Sequence, residues 1–88
     1  ENSYKLSLFP NPTNGNTTIA VENLVDRHVQ VCLVNILGAE IKDLFDGTIV
    51  NNFHTISVDC SSLSRGIYFI KVSDNKDVIL TEKLILNK

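Results

Sequence analysis

Apolar and polar residues alternate along most of the chain, and the alternation breaks at turn-forming residues. Such period-two alternation turns one face of an extended segment toward a core and the other toward water. Tyr4, Leu6 and Leu8 share one parity, with Lys5 and Ser7 between them, which predicts a first strand. Pro10-Asn11-Pro12 ends it, since each proline fixes φ and lacks an N–H, and Thr13-Asn14-Gly15 supplies a turn. Thr17, Ile19 and Val21 mark a second strand, followed by a polar connection over 23–27 that Leu24 and Val25 interrupt. Val29, Val31 and Leu33 predict a third, whose other face (Gln30, Cys32, Val34) is less polar than usual. Gly38 punctuates, residues 39–44 read as a fourth strand, and Asp46-Gly47 reads as a tight turn.

A fifth strand holds Ile56 and Val58 and ends at Asp59, before a loop over 61–66. Residues 67–72 are apolar on both parities, the mark of a strand central in its sheet. Residues 74–77 turn the chain into a seventh strand over 78–86, where Glu82 and Lys83 inside an apolar run point to a sheet edge protected from free pairing. Seven short strands without a helical pattern predict an all-β fold, an immunoglobulin-like sandwich of about seven antiparallel strands. The whole of 1–88 reads as one domain, with residues 1–3 a remnant of an upstream linker.

Composition agrees: 24 of the 88 residues are Ile, Val or Thr, and β-branched side chains favour strands. A chain of this length buries only about 60% of its unfolded surface, so its core is thin and leaves little room for a large active-site cavity. The net charge is −2 and the eight basic residues are scattered, which argues against a nucleic-acid face or a polybasic membrane anchor. Apolar runs of four or five residues are too short to cross a bilayer as a helix. Residues 1–3 lack the character of a signal peptide, so the chain reads as a fragment of something longer.

Candidate chemistry is sparse. Cys32 and Cys60 form neither a CxxC pair nor, with His28 and His54, a zinc spacing; they read as small buried thiols or as one disulfide. A dyad of His54 with Cys32 or Cys60 is the nucleophile–base pair on offer. Asp74, Asn75 and Asp77 could supply oxygens to a calcium ion but lack EF-hand spacing, and read first as a solvated turn. Asn16-Thr17-Thr18 matches a glycosylation sequon. On this inventory the chain is expected to be no enzyme and to need no metal or cofactor.

Four segments stand in a definite order: Leu8-Phe9-Pro10-Asn11-Pro12-Thr13-Asn14-Gly15, Val31-Cys32-Leu33-Val34-Asn35-Ile36-Leu37-Gly38, Leu63-Ser64-Arg65-Gly66-Ile67-Tyr68-Phe69-Ile70-Lys71-Val72, and Glu82-Lys83-Leu84-Ile85-Leu86-Asn87-Lys88. The series resembles the type A C-terminal sorting domain of the type IX (Por) secretion system of Bacteroidetes bacteria, from Leu6 to Lys88. The resemblance implies a noncatalytic signal on an upstream cargo, often a protease, adhesin or glycan-active enzyme. It implies passage through the periplasm, then an outer-membrane translocon, a shuttle protein, and a sortase-like peptidase that removes the domain near or before Tyr4 and leaves the cargo on the cell surface or secreted. Cys32 and Cys60 fall outside the family's usual pattern.

The resemblance makes Pro10, Asn11, Pro12, Gly38, Gly66, Tyr68, Lys71, Lys83, Leu84, Ile85, Leu86 and Lys88 the expected sorting-motif residues. The prolines end a strand and could hold an upstream cleavage segment clear of the fold. Gly38 takes a turn. Gly66 and Tyr68 fit a tyrosine corner, in which the phenol bonds back to loop backbone. Lys71 is the polar exception in an apolar strand. Leu84-Ile85-Leu86 either completes a sheet or offers an edge to a receptor, and the two are compatible. An immunoglobulin-like adhesion or carbohydrate-binding module is the rival reading, and weak self-association through an exposed edge is a further expectation.

Overall fold

The chain lays down seven strands and no helix over residues 3–88, the residues described by the computed structural model. They are β1 (Lys5–Phe9), β2 (Asn16–Glu22), β3 (His28–Val34), β4 (Glu40–Thr48), β5 (Phe53–Asp59), β6 (Gly66–Asp74) and β7 (Asp77–Leu86). Two antiparallel sheets result, one ordered β1-β2-β5 and the other β4-β3-β6-β7. β6 is interior to its sheet and β7 is an edge, as the apolar run and the Glu82/Lys83 charges predict.

The predicted inner parities meet between the sheets. Ile19, Val21 and Val58 from one sheet pack with Val29, Val31, Leu33, Ile70, Val72, Leu84 and Leu86 from the other, all buried. Burying each such side chain stabilises the fold by about 1.5–3 kcal/mol relative to exposure. β6 reverses into β7 through Asn75 and Lys76, both at positive φ (53° and 75°), the two-residue geometry whose twist matches antiparallel strands.

One predicted turn is absent. Asp46 and Gly47 lie inside β4, paired with Gln30 and Val29 of β3. Pairing with β3 runs in unbroken register from Phe45 opposite Val31 to Thr48 opposite His28, and the two register shifts lie nearer the start of β4. The reversal comes instead over 49–52, where Ile49 exchanges backbone hydrogen bonds with Arg27 (2.9 Å) and Asp26 (2.7 Å). Ile49 and Leu24, both fully buried, plug this end of the sandwich. The linker expected over residues 1–3 falls partly outside the described residues, but the Ser3 carbonyl accepts from Asn23 Nδ2 at 2.6 Å and is tied to the domain.

Candidate functional site

The motif residues other than Lys71 lie toward the end of the sandwich where β1, β3, β5 and β7 finish and β6 begins. β1 stops at Phe9, and the segment 10–13 then folds against the outer edge of β7. Asn11 Nδ2 donates to the Lys83 carbonyl at 2.7 Å, and Asn11 Oδ1 accepts from the Ile85 N–H at 3.0 Å. Thr13 continues the pattern with its backbone, donating to the Ile85 carbonyl and accepting from the Asn87 N–H, both at 2.9 Å. The Asn11 carboxamide thus stands in for a peptide group, and Thr13 pairs with Leu86 as in a parallel sheet. Neither Pro10 nor Pro12 can donate to a neighbour, so Asn11 and Thr13 carry the whole attachment. Thr17 fixes the other side of the segment by donating its hydroxyl to the Pro10 carbonyl at 2.8 Å.

This geometry alters what the sequence leads one to expect of the last strand. Leu84 and Leu86 are core residues, Ile85 is half-buried, and the edge from Lys83 to Asn87 is filled from within the chain. Lys83 itself is exposed. Lys88 Nζ is engaged as well, donating to the Leu63 carbonyl at 2.6 Å and to the Ser61 carbonyl. Tyr68 makes the expected corner bond, its hydroxyl donating to the Ser64 carbonyl at 2.6 Å. Gly66 has φ 152°, with open space where a Cβ would stand.

Gly38 closes the β3–β4 turn at φ 85°. Asn35 Oδ1 accepts from the Leu37 and Ala39 N–H groups at 2.9 and 3.0 Å, and the Asn35 backbone pairs with Gly38 and Ala39. A turn held by four bonds presents two aliphatic side chains to water, Ile36 at 67% and Leu37 at 88% exposure. Beside them Ile36, Ile67 and Gly66 share a shallow depression of about 410 Å³ with Asn35, Arg65 and Tyr68. In the sequence Ile36 and Leu37 stand only as members of a family-like segment; the turn geometry reveals their exposure.

Lys71 lies apart, half-buried on the outer face of the four-stranded sheet between Cys32 and Thr81. It borders a groove of about 340 Å³ with Glu40, Asp43 and Asp46 along β4. Cys32 Sγ is 3.9 Å from Glu40 Oε2. Burial, with the Glu40 charge, pushes the Cys32 thiol above the ordinary range, and burial likewise raises Cys60, beside Asp59. Both cysteines are reduced and buried. Neither proposed dyad is assembled: His54 is on the inner face, its ring 4.7 Å from that of Phe45, while Cys32 faces outward and Cys60 follows the far end of β5. Among the described residues no group of His, Cys, Asp and Glu is placed to hold a metal ion, and Asp74 is committed to Arg27.

These thiols give a direct test. At pH 7 iodoacetamide is expected to label neither cysteine until denaturant unfolds the chain. Because the folded pKa values are raised, their share of stability is complete below the unfolded thiol pKa of about 8.5 and is lost as pH rises through the folded values. Urea midpoints measured from pH 7 to 10 are therefore expected to fall above that point, and Cys32→Ser/Cys60→Ser should flatten the decline. Asp59 has the opposite sign: hydrogen bonds from Ser61 hold its carboxyl below the usual range, so that contribution is lost on acidification.

Exposed aromatics do not assemble a sugar platform. Phe9 and Phe53 are both exposed on the outer face of the three-stranded sheet, but they sit on its two edge strands opposite Thr18 and Glu22, at different ends of β2. A family model described as a secretion system C-terminal sorting domain matches residues 7–87, nearly the whole chain. No curated protein and no solved structure matches it.

Proposed function

Since the chain belongs to the secretion system C-terminal sorting domain family, and is thereby a C-terminal sorting signal for type IX secretion that works on an attached upstream cargo, we propose that the machinery reads it as a folded surface. The signal directs export to the cell surface or secretion. On this reading the domain has no catalysis of its own; it takes its cargo from the periplasm to an outer-membrane translocon and a shuttle protein, and a sortase-like peptidase then removes it. The observation that carries the reading is the hydrogen-bonded turn with Ile36 and Leu37 turned to solvent. Exposing two large aliphatic side chains on a turn held by four hydrogen bonds contributes nothing to the fold, and such patches mark contact sites. Asn11, Tyr68 and Lys88 serve this surface indirectly, by fixing the loops around it.

Fusing residues 1–88 to a reporter with a signal peptide tests the reading. The reporter is expected on the surface of a bacterium that has the pathway, and retention of the fusion in the periplasm would refute it. In the same fusion, Ile36→Ser/Leu37→Ser is expected to cut surface display at least tenfold. Its effect on stability should stay within about 0.5 kcal/mol, because neither side chain is buried. Equal display with an unchanged melting curve would remove the turn from the recognition surface.

A further inference from the structure

The segment 10–13 fills an edge that sheet proteins otherwise offer to partners. Four backbone groups along β7 and the residue that follows it are involved in sequence: the Lys83 carbonyl, the Ile85 N–H, the Ile85 carbonyl and the Asn87 N–H. One side chain and one residue supply all four partners. The attachment to β7 is slight: Pro10, Asn11 and Pro12 are exposed and neither proline can add a donor, while Thr13 is buried and is held besides by its hydroxyl, which donates to the Asn16 carbonyl at 2.6 Å. It begins immediately after β1, the strand through which the chain enters the sandwich.

We propose that 10–13 is a displaceable strap over a β-strand acceptor site, and that the Lys83–Asn87 edge of β7 receives an extended segment of a protein of the secretion machinery once the strap lifts. The occupant's chemistry is read from its internal stand-in. What fills the edge now is a row of peptide-like donors and acceptors, so what replaces it is an extended backbone with the same alternation. The outer face beside that edge specifies one side chain more closely. Ile85 lies opposite Ile67 there, half-buried and exposed respectively, so an aliphatic residue on the incoming strand extends an existing apolar pair. Leu84 and Leu86 remain in the core throughout, because their side chains and, by strand alternation, their backbone groups face inward to the sandwich and to β6. The strap therefore opens without unfolding the strand it covers. Lys88, held by the Ser61 and Leu63 carbonyls, keeps the strand's end in place while the edge changes partner.

The proposal rests on the sorting reading above, and its tests separate the two. Hydrogen exchange on the 88-residue chain is expected to show the Ile85 and Asn87 amides opening together, at least tenfold faster than Leu84 and Leu86. Asn11→Ala should accelerate the first pair a further tenfold and leave the second unchanged. Exchange of all four amides only through global unfolding, in both proteins, overturns the strap. A synthetic peptide repeating residues 7–15 should shift the Ile85 and Asn87 amide resonances of the Asn11→Ala chain and not those of the parent; no shift at millimolar peptide overturns the acceptor site. Dimerisation of Asn11→Ala in light scattering would assign the edge to a second copy and overturn the choice of occupant. Finally, Thr13→Cys/Leu86→Cys joins bridge partners and locks the strap. Because Leu86→Cys also removes a core side chain, the fusion is compared with itself: display with the bridge formed is expected to be less than a tenth of display with the bridge reduced, and equal display overturns gating. If the unaltered fusion is not displayed, it is the sorting reading that fails, while exchange and peptide binding still judge the strap.

Discussion

A chain cut after Lys83 is expected neither to melt cooperatively nor to carry a reporter to the cell surface. The cut removes Leu84 and Leu86, which are 0% and 1% exposed and belong to the core where β7 packs beside β6 and against β1. Their burial alone is worth about 3–6 kcal/mol. Domains of this kind have only about 5–15 kcal/mol in total. The cut also leaves the Thr13 backbone and the Asn11 carboxamide without the Ile85 and Asn87 partners, and the Ser61 and Leu63 carbonyls without Lys88. Circular dichroism on heating and surface labelling of the reporter measure the two losses in parallel. A truncated chain that melts like the parent yet is not displayed would show that the machinery reads the last residues directly, as a linear tag.

The second large effect separates shape from motif more cleanly. Ile19 is fully buried on β2 and lies outside all four segments that carry the family resemblance. Ile19→Ala is expected to cost about 2–5 kcal/mol through lost burial and the cavity left behind. In a domain of this size each kcal/mol lowers the melting temperature by about 4–8 °C, so the loss is plain in a thermal scan. Display of the reporter should fall with the folded fraction, although every motif residue is intact. Full display by a variant that is largely unfolded at the assay temperature would defeat the folded-surface reading. Restoring volume with Ile19→Val, at about 0.5–1.5 kcal/mol, should recover most of the display.

Much of the fold is legible in the alternation itself. Val29, Val31 and Leu33 point inward because side chains on a strand alternate, and no distant information is needed to see it. The interior place of β6 and the edge place of β7 follow from the same patterns. The reading failed at Asp46-Gly47, whose dipeptide favours a turn but whose backbone remains in β4 because pairing with β3 continues past it. Alternation does not mark Ile49 and Leu24 as core, since each lies outside a strand beside a second apolar residue, Val50 or Val25, that is exposed. Ile36 and Leu37 stand in one of the family-like segments, and their exposure is set by the Asn35-centred turn, which alternation does not describe.

What this sequence determined unaided is its strands, the parity of their buried faces, and the order of segments that marks the family. Those are local or linear properties, fixed by alternation and by residue identity at each position. The tertiary structure alone decided that Asn11 serves a strand more than seventy residues away, that Lys88 is tied to the 60s loop, and that an apolar turn is left uncovered. The physical reason is that hydrogen bonds and burial depend on which distant groups are brought within about 3 Å, and nothing in the spacing of residues along a chain encodes that distance.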